Sequence, residues 1–370
     1  MRLPESKRAV VKVGSSLIAP EGHRLSVRYL LGIARFVAAS RARGREIVLV
    51  SSGAVAAGRA TMARGADRHT LSAKQALAAL GQPRVMELWS KLVDVPCAQV
   101  LLTHDDLQNR RRFVNAKNTL RELLELGAVP IVNENDSVAV DELKVGDNDN
   151  LAAHVAVLVE ADLLVILSDV DGLYDADPRS NPQARLIAEV AQVDDALLAL
   201  AGGAGSATGT GGMRTKLEAA RKAAERGIPT AIVNGRDDAA LLALAEGELR
   251  GTLVRPTAAA LSAKQHWMRH ALVARGTLTV DAGAARALRE RGASLLPTGI
   301  VEVDGEFRAG DAVEVVLNDA ARAVTIARGI TQFDAAELRR LRGRPTSEIA
   351  AVLGYSGPDT AIHRDDLVLL

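Results

Sequence analysis

The sequence is almost without cysteine. Cys97 stands alone in 370 residues, which excludes an intrachain disulfide framework and any cysteine-rich zinc site. It falls in the apolar run CAQVLL and reads as a buried, unreactive thiol. No uninterrupted apolar stretch approaches the roughly 20 residues that cross a bilayer. The opening MRLPESKRAVVKVG also lacks the apolar segment and cleavage pattern of a secretion signal, so a cytoplasmic, soluble protein without membrane association is expected. An excess of one charge is missing too. The 46 Lys and Arg against 45 Asp and Glu leave a formal +1, which supplies no general field for holding a polyanion. Any phosphate chemistry must come from local sites. Hydrolase signatures are equally absent. There is no GxSxG and no HExxH, and the seven histidines, His69, His104, His154 and His266 among them, form no spaced cluster.

What is present fits a large α/β domain followed by a small one, with 48% hydrophobic residues to fill the cores. AVVKVG (Ala9 to Gly14), EIVLVSSG (Glu46 to Gly53), CAQVLL (Cys97 to Leu102), VPIVNEND (Val129 to Asp136), LLVILSD (Leu163 to Asp169) and PTAIVNG (Pro229 to Gly235) read as strands. Several are apolar on both faces, as in the middle of a parallel sheet. Amphipathic segments around 25–43, 71–92, 115–127, 149–161 and 212–226 lie between them, many ending in a glycine that can close a helix. The rhythm predicts an α/β fold, a three-layer αβα sandwich with a largely parallel central sheet. After about residue 250 short β-like pieces such as GTLTVD, GIVEVDG, AVEVVL and AVTIARG are separated by Gly and Asp turns. A boundary near 255–275 separates this small β-rich barrel or sandwich from the first domain. From residue 271 onward there are 12 Arg, no Lys and 14 acidic residues, a formal −2, which argues against a strong nucleic-acid footprint there. No internal repeat is evident, and the low-complexity stretch AGGAGSATGTGG reads as a loop running into a helix.

Five segments carry the candidate chemistry. VVKVGSS puts Lys12 inside an apolar strand, two residues before a Gly-Ser-Ser turn. A buried lysine needs a partner, so its ammonium either faces an incoming phosphate beside an anion nest at Gly14 or snorkels from an edge strand. The lysine precedes the glycine, so this is not the GxxxxGK[ST] phosphate loop. LVSSGAVAAG ends a strand in hydroxyls that can cap the helix opening there, with Ser51 or Ser52 as the cap. In NENDSVAVDELKVGDNDN, Asn133, Glu134, Asn135, Asp136, Asp147, Asn148, Asp149 and Asn150 crowd the two ends of one stretch. Like charges this close ask for a cation or a ligand amine. Amides facing carboxylates and aspartates holding an ammonium suit a zwitterionic substrate, and Asp147 and Asp149 can also lie near Mg²⁺ through water. ILSDVDGLYDADPR ends a strand in Ser168 and Asp169. TGTGGMRTKLEAA presents glycines running into a helix that carries Lys216, a setting for a nucleotide's phosphates, unless Lys216 and Arg214 only form a solvated helix face. Phosphoryl transfer to a carboxylate needs no strong base, because that acceptor is ionised at pH 7. It needs alignment and positive charge.

In this order and spacing, VVKVGSS, LVSSGAVAAG, NENDSVAV, KVGDNDNLAAHVA, LLVILSDVDGLYDADPR and GTGGMRTKLEAARKA resemble the glutamate 5-kinase branch of the amino-acid kinase family. The part after the boundary resembles a PUA domain, a fold also found in RNA-modifying proteins. The resemblance implies a kinase domain over 1–260, a PUA-like barrel over 275–355, and ATP-dependent phosphorylation of the γ-carboxylate of L-glutamate to L-glutamyl 5-phosphate, the first step of proline biosynthesis. It implies that Lys12, Lys216 and Asp149 are catalytic, the lysines on the phosphoryl group and Asp149 orienting them, and that Ser52, Asp136 and Asn148 bind glutamate. ATP falls to Lys12, Ser168, Asp169 and the loop Gly209, Thr210, Gly211, Gly212, Met213, Arg214, Thr215 and Lys216. Mg²⁺ is carried by ATP, with no protein ligand assigned. L-proline as a feedback inhibitor and a homodimer or homotetramer follow from the same resemblance. RNA binding by the second domain, or a purely regulatory role for it, stays open. Where many relatives have Thr-Asp this chain has Ser168-Asp169, which keeps the hydroxyl.

Overall fold

A computed structural model of the chain describes residues 1–22, 24–62, 70–139, 148–178, 180–201, 212–257, 268–269, 272–319 and 322–370. The chain divides into two compact units, Met1–Ala260 and Leu261–Leu370.

The first unit is built on strands β1 (Arg8–Val13), β2 (Glu46–Ser51), β3 (Cys97–Leu102), β4 (Val129–Glu134), β5 (Leu163–Ser168), β6 (Leu173–Tyr174), β7 (Leu186–Ile187), β8 (Glu189–Val190), β9 (Thr230–Asn234) and β10 (Gly251–Val254). Eight of them form one sheet in the order β3-β4-β2-β1-β5-β9-β10-β8. The six from β3 to β9 run parallel. β10 turns back antiparallel to β9, and β6 pairs with β7 as a separate hairpin. The helices are α1 (Ser15–Ile18), α2 (Leu30–Ala42), α3 (Ala54–Thr61), α4 (Leu71–Leu92), α5 (His104–Gln108), α6 (Arg110–Glu125), α7 (Asn148–Leu158), α8 (Asp195–Leu200), α9 (Met213–Ala224) and α10 (Asp238–Ala245). Glycines 44, 127 and 227, each at φ between 76° and 78°, follow α2, α6 and α9, which is the left-handed closure a helix end favours.

Strand pleating sends alternate side chains to opposite faces. Ala9, Val11 and Val13 of β1 therefore join the core formed with α2, α4 and α10, around Leu30, Ile33, Phe36, Val85, Trp89 and Leu241. Val10 and Lys12 take the other face, over which α7 and α9 lie. β1 is paired along both edges, so that Lys12 sits opposite Val50 on one side and Ile166 on the other. An edge-strand lysine snorkelling to water is ruled out by this topology.

The segment expected to be helical from 25 begins only at Leu30, and the one expected from 115 begins at Arg110. In the second case Asn109 is the cause, its Oδ1 accepting from the amides of Arg111 and Arg112. Helices α3 and α4 cross with their backbones in contact. A Cβ on Gly81 would stand 1.8 Å from the Ala54 carbonyl oxygen, and one on Gly58 1.9 Å from that of Leu77.

The second unit carries β11 (Gly276–Val280), β12 (Ile300–Gly305), β13 (Ala312–Asp319), β14 (Arg322–Ile330) and β15 (Leu367–Leu369), with helices α11 (Ala282–Arg291), α12 (Ala335–Leu341) and α13 (Ile349–Leu353). Its mixed sheet runs β12-β11-β13-β14-β15, with β11 and β13 parallel. Its own core gathers Leu278, Leu288, Val313, Val315, Phe333 and Leu338. No helix among the described residues of the chain is long and apolar enough to cross a membrane.

The helix crossing makes a direct prediction. Gly81→Ala forces the two backbones apart and costs about 3 kcal/mol, at the upper end of the range for overpacking. A thermal midpoint unchanged from the parent would contradict the contact.

Candidate active site

Parallel strands present their carboxyl ends to one edge of the sheet, where ligands of open α/β sheets bind. Gly14 follows β1, Ser52 follows β2, Asn135 and Asp136 follow β4, and Asp169 follows β5. The first residues of α7 and α9 bring Asn148, Asp149 and Lys216 to the face already occupied by Lys12.

Asp149 is fully buried and lies between two lysines that are each 6% exposed. Lys12 Nζ is 2.7 Å from its Oδ1. Lys216 Nζ is 3.2 Å from its Oδ2, and the Thr215 hydroxyl donates to that same oxygen at 2.8 Å. Burial works to raise the Asp149 carboxyl, but the two ammonium groups and the Thr215 hydroxyl outweigh it and hold the group below the ordinary carboxylate range. Burial lowers Lys12, and the neighbouring Lys216 adds to this, while Asp149 opposes it. Two cations around one anion leave a net positive charge in a place where water screens little, and that surplus suits an incoming phosphate.

The Ser51-Ser52 turn departs from the expected helix cap. α3 is preceded by Gly53 at φ 101° with no side-chain cap, and a Cβ there would approach Ile18 Cγ2 to 2.8 Å. Only glycine fits that conformation without strain, and it turns both serines away from the helix. The buried Ser51 hydroxyl accepts from Trp89 Nε1 at 2.8 Å. Ser52 Oγ accepts from Asn148 Nδ2 at 2.7 Å, and the same nitrogen donates to Asn133 Oδ1 at 3.0 Å. Asn133 Nδ2 in turn donates to Gln82 Oε1 at 3.0 Å. Asp136 stands in the turn after β4, and burial pushes its carboxyl up to about 6. Gln75 of α4 reaches the same turn, donating to the Ala139 carbonyl at 2.9 Å.

Ser168 is buried at the end of β5, and Asp169 makes a 3.7 Å ion pair with Arg236 from the turn after β9. Asp171 beside it accepts from Asn234 and Tyr174. At the start of α9 the two basic residues part company: Arg214 is solvated and paired with Glu218 at 3.0 Å, whereas Lys216 is buried on Asp149. Gly212 and Met213 open that helix. Asp147, Gly209, Thr210 and Gly211 lie outside the described residues. Among the described residues, no three His, Cys, Asp or Glu side chains come together as a metal site.

Gln82, Trp89 and Arg236 were not singled out from the sequence, and Thr215, expected on ATP, is found donating to Asp149. A signal existed for Gln82, which is a polar residue on the face of α4 that buries Leu77, Ala78, Gly81, Val85 and Trp89.

A family model described as "Amino acid kinase family" matches residues 7–234, and one described as "PUA domain" matches 276–353. "Glutamate 5-kinase" of Salinibacter ruber is 57% identical over 99% of this chain and 98% of its own length. The protein of the same name from Xanthomonas euvesicatoria is 56% identical over 98% of this chain and 100% of its own, and that of Xylella fastidiosa 52% identical over 100% and 96%. The chain therefore belongs to the amino acid kinase family, in its glutamate 5-kinase branch, with a PUA domain following the kinase region.

Replacing Asp149 by Asn leaves two buried ammonium groups facing each other. Removing one partner of a buried ion pair costs about 3–5 kcal/mol, so Asp149→Asn is expected to lower the thermal midpoint of the full chain by roughly 10 °C. A midpoint within a degree of the parent would overturn this account of the cluster.

Proposed function

We propose that the chain transfers the γ-phosphoryl group of ATP to the side-chain carboxylate of L-glutamate, giving ADP and L-glutamyl 5-phosphate, the opening reaction of proline biosynthesis. The observation that carries this reading is the buried Lys12–Asp149–Lys216 cluster with its surplus positive charge. High identity to proteins named glutamate 5-kinase over nearly their full length supports the choice of acceptor.

A carboxylate oxygen of glutamate attacks the γ-phosphorus in line as the bond to the β–γ bridging oxygen breaks and its electron pair leaves with ADP. No proton moves in that step. The lysines stabilise the charge spread over the transferring group, and Asp149 holds both ammonium groups at fixed positions instead of letting them repel. Ser52, Asn148 and Asp136 receive the amino acid. Asp136, ionised, takes the ammonium end, while the Ser52 hydroxyl addresses the carboxylate end and Asn148 orients that hydroxyl. Ser168, Asp169 and the segment Gly209 to Lys216 hold the nucleotide. The two lysines at the transfer point suit phosphate oxygens and repel a bare cation, so Mg²⁺ would be brought by ATP, where it would offset phosphate charge. We assign the kinase domain to 1–260 and the PUA-like domain to 275–355, and place the chain in the cytoplasm as a homodimer or homotetramer subject to inhibition by L-proline. The lysine-free second domain, with a formal −2 from residue 271 onward, gives no support to RNA binding, and a role in assembly or regulation is the alternative.

Purified protein with MgATP and glutamate is expected to form an acyl phosphate that hydroxylamine traps as a hydroxamate. Turnover with N-acetylglutamate or aspartate but not glutamate would sink the acceptor assignment. The raised Asp136 carboxyl fixes a pH dependence: below about 6 the group is neutral and no longer holds an ammonium. The kcat/KM for glutamate should therefore fall as pH drops through about 6, while in Asp136→Asn it is low throughout and this limb is gone. Persistence of the limb in the variant would assign it to another group.

A further inference from the structure

Helix α4 supplies neither of the lysines nor any residue placed above on glutamate or ATP, yet two of its buried side chains reach the Ser51-Ser52 turn, one directly and one through other residues. Trp89 Nε1 can only donate, so Ser51 Oγ accepts from it and passes its own proton to the Ser52 carbonyl at 3.3 Å. Two turns earlier on the same face, Gln82 is 7% exposed and begins a chain of amides.

The polarity of that chain follows from its fixed end. The Ser51 carbonyl only accepts, and it lies 3.5 Å from the atom of Asn148 that also meets Ser52 Oγ. That atom is therefore the amide nitrogen. Asn133 must present its oxygen to it and its nitrogen to Gln82, and Gln82 must answer with its oxygen. The other atom of the Gln82 amide, Nε2, is buried without a partner among the described residues. Gln82 thus acts in the chain through its oxygen alone.

We propose that Gln82 is a positioning residue that anchors the far end of the amide relay Gln82–Asn133–Asn148–Ser52, whose direction the Ser51 carbonyl sets, and so holds the Ser52 hydroxyl where it donates to the substrate carboxylate. With Asn148 donating to Ser52 Oγ, the serine proton is left to donate outward, where a carboxylate accepts it. Without an acceptor at position 82, the Asn133 amide nitrogen loses its partner and Asn133 is free to move off Asn148, so that Asn148 no longer holds Ser52 Oγ where its proton reaches the carboxylate. The pocket then offers a carboxylate one donor fewer. The inference rests on the carboxylate-kinase reading above.

The test is steady-state kinetics of the full chain with acceptor and ATP varied separately, using as acceptor the carboxylate that the parent converts in the hydroxamate assay. A parent inactive on glutamate but active on another acceptor would sink the glutamate assignment and leave the relay to be measured with that acceptor. Gln82→Met keeps the chain length and removes the accepting oxygen, and Gln82→Asn withdraws it from reach. Each is expected to raise the acceptor KM by roughly tenfold, about the worth of one buried hydrogen bond, with the KM for ATP within twofold of the parent. Gln82→Glu keeps an accepting oxygen in either protonation state and replaces a nitrogen that had no partner, so its acceptor KM should stay within about threefold. Should the Met variant fail to fold, the Asn and Glu variants carry the comparison. An acceptor KM unchanged in Met or Asn, both KM values rising together, or a Glu variant as impaired as Met would each overturn the proposal.

Discussion

One carboxylate between two ammonium groups, out of reach of water, is the interaction around which the first unit is arranged. Its three members come from a central strand and from the first turns of two helices that cover the same sheet face. Such a cluster is a poor device for stability, since burying ions costs more than their attraction returns unless every group is satisfied, and apolar replacements often do better. Its value lies in the charge it leaves over. Placing that charge on β1, paired along both edges, ties the position of one ammonium to the most constrained part of the sheet.

A second requirement is that the Ser51-Ser52 turn and the turn after β4 hold their shape. Gly53, left-handed and pressed against Ile18, sends Ser51 and Ser52 away from the helix that follows them. Helix α4 then braces these turns from behind through Trp89, Gln82 and Gln75, and it can lie close enough only because Gly58 and Gly81 let two backbones touch. The polar side chains buried here are neutral amides, a hydroxyl and an indole, for which hydrogen bonds alone compensate burial.

Much of the fold was legible because its strands are buried on both faces. Runs such as EIVLVS and LLVILS have no helical alternative of the right length. Helix ends were less legible, since Asn109 sat inside a charged run that masked its capping role. Lys12, Asp149 and Lys216 could be named from local motifs, but that they form one cluster could not. Their meeting depends on strand parity and sheet order, which link residues 137 and 67 positions apart, a property of topology and not of any window of sequence. The helix-capping role expected of Ser51 or Ser52 missed because capping is a local rule, and the tertiary demands of Trp89 and Asn148 on those hydroxyls overrode it. Gln82 and Trp89 were passed over as ordinary helix residues because nothing nearby in sequence marks what they face.

The order in which the cluster's members occur along the chain has a consequence for synthesis. Lys12 lies near the start, Asp149 far along, and Lys216 further still. During translation, β1 can join a growing sheet long before its counterion exists, and a burial-averse ammonium then sits in an apolar strand with nothing to neutralise it. Sheet formation is thus penalised until α7 has emerged. Burial of the charge on β1 thus ties completion of this sheet face to the late-made helices α7 and α9.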